Sequence, residues 1–265
     1  LTGDAAGQAQ VRALREIAEE VTTRHGRVPA GRRPMRVDAL PSRITVSEAL
    51  ALDPDFAPPS PLWALIGVGG DELQPVGIDL EENGPGFVIA APPKSGRSTL
   101  LTAATETLLR SGTPVVLVAP RRSPLRELEG REGVLGLLNA DSREEDLEEL
   151  VDKVSGGSYV VVVDDAELLY DTRLDEALET VVRKGADGGI GLIAAGSTDS
   201  LSGQYRGFAV EARKSRNGLL LTPQSPSEGE LFGIRLPSSS GGGAAGSGLF
   251  VAGGSFMPVQ AVMNG

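Results

Sequence analysis

The chain has 265 residues, 40% hydrophobic and 23% charged, which supports one good core with an appended region or two small domains and excludes wholesale disorder. It has no cysteine and a single histidine, His25, so disulfides and thiolate metal sites are ruled out and a zinc centre is disfavoured. A net charge of -11 weighs against a nucleic-acid surface, which needs clustered Lys and Arg, and no window approaches the roughly 20 apolar residues that cross a bilayer.

The sequence begins at Leu1 with neither an initiator methionine nor a signal-peptide pattern, so a longer parent chain is expected. Residues 8–25 place Val11, Leu14, Ile17, Ala18 and Val21 at helical spacing, and Gly26 supplies a stop. From Val28 to Pro61 the chain is proline-rich and irregular, which predicts an extended arm with a short helical turn near Val46–Leu50. Its scattered apolar residues, among them Val37, Leu40, Ile44, Leu50, Phe56, Leu62 and Trp63, suggest an arm laid against a larger body. Residues 1–62 are accordingly read as helix and arm, and 63–265 as the main domain.

After Leu65 two short strands are expected, at 66–70 and 75–80, followed by an alternation of apolar runs and helical stretches. The strands are 86–91, 115–119, 159–165 and 189–195; the helices are 98–110, 142–154 and 173–184. Continuous apolar strands separated by helices mark a mostly parallel sheet covered on both faces, an α/β fold of the P-loop type. Segments 218–223, 230–237, 248–253 and 258–263 are strand-like without helices between them, which suggests a terminal antiparallel addition. The run Ser238–Gly248 is low in complexity and reads as a mobile loop.

Residues 91–98 read A-P-P-K-S-G-R-S against the phosphate-loop pattern G-x-x-x-x-G-K-[ST]. The pattern works because backbone N–H groups and a helix N-terminus converge on phosphate, Lys adds charge and the hydroxyl binds magnesium. Here Ala91 replaces the first Gly and Arg97 replaces the Lys, within the required strand, loop and helix setting. Lys94, Ser95, Gly96, Arg97, Ser98 and Thr99 are the candidate nucleotide-binding residues, with Ser98 as a magnesium ligand. Arg97 stays cationic but is planar and favours bidentate partners, so it either binds phosphate in an altered pose or leaves the site. The second element is the strand 159–163 ending in Asp164, the place of a magnesium-binding carboxylate. Asp165 follows where a hydrolytic enzyme carries Glu to activate water and is a weak catalytic candidate; the alternative is that one Asp of the pair caps the following helix, and both readings can hold together.

Taken together, the 40–45 and 66–80 segments, the altered loop, the VVVVDD strand, the 183–197 block and the 228–237 segment resemble the FtsK/SpoIIIE-type ATPases, and within them the EccC-like tandem ATPases of type VII secretion in actinobacteria. The resemblance covers roughly Met35 to the C-terminus and implies a RecA-like (ASCE) sheet, ATP with Mg2+ as cofactors, neighbouring ATPase domains in the same parent, and a cytoplasmic place with membrane association through that parent. It also implies a small helical secreted protein as partner; exposed apolar residues near Leu231, Phe232 or Phe250 are candidate contacts, at a site that the sequence does not fix. Active members carry an Arg where this chain has Ala186, a His at Gly191 and a T-Q or S-Q pair at Gly196 and Ser197. The cluster 211–216 is read as solvated surface, with a substitute cation as the alternative. Three functions stay open: a degenerate nucleotide-holding module with a docking or regulatory role, an active protein or DNA translocase, and a protein-binding module on the same fold.

Overall fold

The structure, a computed structural model, describes residues 3–26, 37–238 and 243–265. Residues 28–36 of the expected arm, and 239–242 of the low-complexity run, lie outside the described residues. By its internal contacts the chain divides into two compact units, Leu1–Val37 and Asp38–Gly265.

In the first unit, helix α1 spans Gly3–His25, earlier in its start than periodicity suggested. Gly26 ends it in a left-handed conformation, with its N–H bonded to the Thr22 carbonyl. Val11, Leu14, Ile17 and Val21 form an exposed apolar stripe along it.

The second unit is built on one ten-stranded sheet in the order β2-β1-β10-β9-β8-β3-β7-β6-β4-β5. Its strands are β1 Trp63–Gly69, β2 Gln74–Asp79, β3 Gly86–Ala91, β4 Val115–Val118, β5 Val134–Leu138, β6 Tyr159–Val163, β7 Ile190–Ser197, β8 Gly218–Leu221, β9 Ser247–Ala252 and β10 Ser255–Ala261. From β8 to β5 every pair is parallel, and from β8 to β2 every pair is antiparallel. The expected parallel sheet with an antiparallel addition is therefore present. One placement differs: β8 belongs to both halves, parallel to β3 and antiparallel to β9.

Side chains of β3 and β6 alternate between two cores, as the period of a strand requires. Phe87, Ile89, Val160 and Val162 pack on one face with Leu100, Leu101 and Leu108 of helix α3, Arg97–Arg110. Val88, Ala90, Val161 and Val163 pack on the other, with residues of α4 (Glu144–Val151), α5 (Arg173–Gly185) and α7 (Phe208–Arg213). A short α6, Thr198–Ser202, follows β7 directly. Helix α2, Val46–Ala51, begins at a Thr45 capping box, and Ile44, Val46 and Ala49 are buried in the first core. That part of the arm lies against the body, whereas Leu40 stays exposed.

Three readings of the sequence need correction. The 230–237 segment is not a strand: a 3-10 turn covers Pro226–Phe232, and Gly233 turns left-handed so that Ile234 N–H bonds the Gly229 carbonyl. Phe232, Ile234 and Leu236 are buried at a spacing of two, which imitates a strand, but Pro226 and the glycines break the ladder. Strand β5 was missed because it is a short, half-buried edge strand. Helices α6 and α7 were missed because each is only one or two turns long.

Gly218 opens β8 where any Cβ would meet both the Phe232 ring and the Val88 carbonyl. Gly218→Ala is expected to destabilise the unit by about 1–3 kcal/mol through overpacking, read as a lowered urea midpoint with an unchanged slope.

Candidate functional site

The parallel half of the sheet brings the two chemical motifs to one edge. The loop 92–96 leaves the C-terminal end of β3, Asp164 and Asp165 leave that of β6, and β7 lies between them. The crevice outside the C-terminal ends of parallel strands is where such sheets bind ligands. Here it is a cleft of ≈ 490 Å³ lined by Pro93, Lys94, Arg97, Ser98, Asp165 and Ser197, among others.

Gly96 is the N-cap of α3 at φ 93, a conformation that costs Gly little, and no side chain caps the helix. The first amides of α3 thus have no side-chain cap. Lys94 also adopts a left-handed φ of 64, and the Ser95 hydroxyl is buried with no partner. The Ser95 carbonyl accepts from Gly246 N–H at 3.2 Å, which ties the end of the low-complexity run to the loop. Thr99 and Lys94 are exposed, and Ser98 is half-buried.

Arg97 does not project freely as a phosphate ligand would. Its side chain is 11% exposed and turns toward the end of β6, where Nη2 donates to Asp165 Oδ1. Its Nε lies 3.7 Å from Asp164 Oδ1 and its Nη1 lies 3.9 Å from Glu167 Oε1. A second guanidinium closes on the same carboxylate: Arg121 donates from Nε to Asp165 Oδ2 at 2.5 Å and from Nη2 to Asp165 Oδ1 at 2.6 Å. Hydrogen bonding to Asp165, helped by its charge and those of Glu167 and Asp164, raises the Arg121 pKa above its ordinary value. Asp164 is fully buried; its Oδ2 accepts the Ser123 hydroxyl at 2.5 Å and its Oδ1 accepts Asp165 N–H at 3.0 Å. Asp165 precedes a 3-10 turn, Ala166–Leu169, but its side chain does not cap it. The cap reading is therefore not met, and the carboxylate goes to the two arginines.

Glu167 occupies the space beside Gly196 and Ser197. Its Oε2 accepts Ser197 N–H at 3.1 Å, and a Cβ built on Gly196 would lie 2.8 Å from that oxygen and 3.0 Å from Leu201 Cδ1. At Gly191, a Cβ would come within 2.5 Å of Leu80 Cδ1, so any side chain there would have to displace the buried Leu80. Ala186 is exposed at the end of α5, ahead of β7, and so lies toward the opposite edge of the sheet from the cleft. In the 211–216 cluster, Arg213 is half-buried and donates to the Leu201 and Gln204 carbonyls, outside the cleft lining, so it is no substitute cation there. Phe232 and Phe250 are core residues, which removes both as exposed contacts.

Sequence reasoning missed Arg121, Ser123 and Glu167. Arg121 and Ser123 sit just past β4 at the ligand-binding edge of a parallel sheet, the one signal that pointed to them.

No protein-family model and no curated protein matches the chain. Solved structures do. EssC ATPases 2 and 3 from Geobacillus thermodenitrificans superpose with a TM-score of 0.71 at 16% identity, over 96% of this chain and 50% of that one. Thermomonospora curvata EccC ATPases 2 and 3, in complex with a signal sequence peptide, give 0.66 at 20% identity, over 86% and 44%. This chain has the fold of the EssC and EccC ATPase domains. It spans about half the length of those structures. The pCW3 conjugation coupling protein TcpA with ATPγS is also similar, at a TM-score of 0.58 and 17% identity over 85% and 71%. The family resemblance read from the loop and the β6 carboxylates thus has its counterpart in the fold.

Because Glu167 fills the space beside residue 196, Gly196→Thr is expected to cost about 1–3 kcal/mol. Adding Glu167→Ala should recover part of that loss; thermal unfolding of the single and double variants checks it.

Proposed function

We propose that the chain is a nucleotide-holding module of a secretion motor, with little or no hydrolysis and a docking or regulatory role. The observation that carries this reading is the closure of Arg97 and Arg121 on Asp165 inside a cleft that otherwise keeps the form of a phosphate site.

A general base needs a free lone pair within hydrogen-bond reach of the attacking water. Asp165 already accepts three guanidinium N–H groups on its two oxygens and is only 4% exposed, so the two arginines stand between it and any attacking water. Gly196 offers no side chain to sense phosphate, and the trans-acting Arg expected at 186 is Ala. Electrostatic groups of that kind contribute as much as about 10³ to 10⁵ in rate, so their joint loss supports holding over splitting. Against it stand two further readings. An active translocase would need Asp164 to serve turnover, and a protein-binding module would leave the cleft without nucleotide.

The likeness to EssC and EccC supports work beside other ATPase domains of a longer parent, on the cytoplasmic side of a membrane. Among the described residues no helix is long and apolar enough to cross a bilayer, so membrane association would come through that parent. The signal sequence peptide bound to EccC supports a small secreted protein as the partner here.

Calorimetric titration with ATP, run beside a phosphate-release assay, separates the readings. Binding is expected, with turnover at least ~10³-fold below that of a working ATPase. Steady hydrolysis abolished by Asp164→Ala would establish the translocase, and no binding by a folded chain would favour the protein-binding module.

A further inference from the structure

The fold family implies magnesium beside the nucleotide, with Ser98 and Asp164 as its ligands. The side chains do not fit it. Magnesium demands near-octahedral oxygen ligands at about 2.0–2.1 Å and parts with its water reluctantly. Each oxygen of Asp164 already accepts one hydrogen bond, from the Ser123 hydroxyl and the Asp165 amide, and the Arg97 Nε stands 3.7 Å from Oδ1, where a metal ion would have to approach. Asp165 is enclosed by two guanidinium groups.

Resting on the nucleotide-holding reading above, the geometry points to a cleft that takes a nucleoside polyphosphate as the free anion, without magnesium, because Arg97 and Arg121 supply the charge of the dication. Three carboxylates, Asp164, Asp165 and Glu167, face these two guanidinium groups. Their two positive charges equal the charge of one magnesium ion. A guanidinium cannot make way by losing its proton, since arginine stays charged at any working pH. A dication approaching Asp164 therefore meets a fixed like charge. The phosphates have other partners: the uncapped amides of α3, and Lys94 and Arg122, which line the cleft and take no part in the ion pairs around Asp165. Tight occupancy by free ATP would also suit a module that holds nucleotide and does not split it.

ATP binding is measured by calorimetry on the full 265-residue chain, once in EDTA and once in excess Mg2+. The wild type is expected to bind in EDTA within ~threefold of its affinity in Mg2+, and Arg97→Lys to bind at least ~tenfold more tightly with Mg2+ than without. A wild-type affinity that falls ~tenfold or more on chelation overturns the inference. If neither condition gives binding, the nucleotide reading itself has failed, and paramagnetic resonance of Mn2+ then tests the cation claim alone. Mn2+ held by Arg97→Ala and not by the wild type supports the guanidinium as a resident cation. Mn2+ held by the wild type, or by neither protein, overturns it. Near-ultraviolet circular dichroism confirms that each variant is folded, and Arg97→Lys takes the place of Arg97→Ala if that variant is not.

Discussion

The interaction on which the site depends is the pairing of Arg97 with the carboxylates at the end of β6. Taking a carboxylate wholly out of water, as that of Asp164 is, costs free energy unless donors surround it. Ser123, the Asp165 amide and the nearby Arg97 guanidinium meet that demand for Asp164, and Arg97 with Arg121 meets it for Asp165. A lysine in the loop would reach the same region as a flexible point charge that can serve a phosphate. Arginine is planar and offers several donors in a fixed fork, so it satisfies a fixed carboxylate better and releases it less readily.

Topology makes that contact available. The loop and the acidic strand are separated in sequence by more than sixty residues, yet β7 alone lies between β3 and β6. The inserted strand sets Ser197 level with Ala91 and leaves the end of β6 within reach of the first turn of α3. Glu167 then bridges the two, bonding the Ser197 amide and standing near Arg97. With that carboxylate in place, a side chain at Gly196 would have to displace Glu167 and Leu201, so the ion cluster and the glycine fit one another.

Much of the fold was legible because its strongest signals are local. GFVIAA and YVVVV are continuous apolar runs, as strands buried on both faces must be, and both were placed to within two residues. The altered loop was legible from its setting between strand and helix. The fate of Arg97 was not: periodicity says that a charged residue opens α3, but not whether it points to solvent, phosphate or a carboxylate on a distant strand. Arg121 and Ser123, in the connection after β4, and Glu167, in the 3-10 turn after β6, share that difficulty, since only the fold creates their contacts. The 230–237 segment failed for the opposite reason, with an alternation of buried residues that a coiled connection can produce as well as a strand.

The central claim is that Arg97 belongs energetically to the β6 carboxylates. A double-mutant cycle on Arg97→Ala and Asp165→Ala, read by urea unfolding, measures it most directly. For a pair this shielded the coupling is expected to reach about 2 kcal/mol, in the upper part of the range for contacting residues. The corresponding cycle with Arg121→Ala should give less than about 1 kcal/mol, because that side chain is 59% exposed. Coupling between Arg97 and Asp165 within about 0.5 kcal/mol of zero would mean that the two act independently, and would contradict the account.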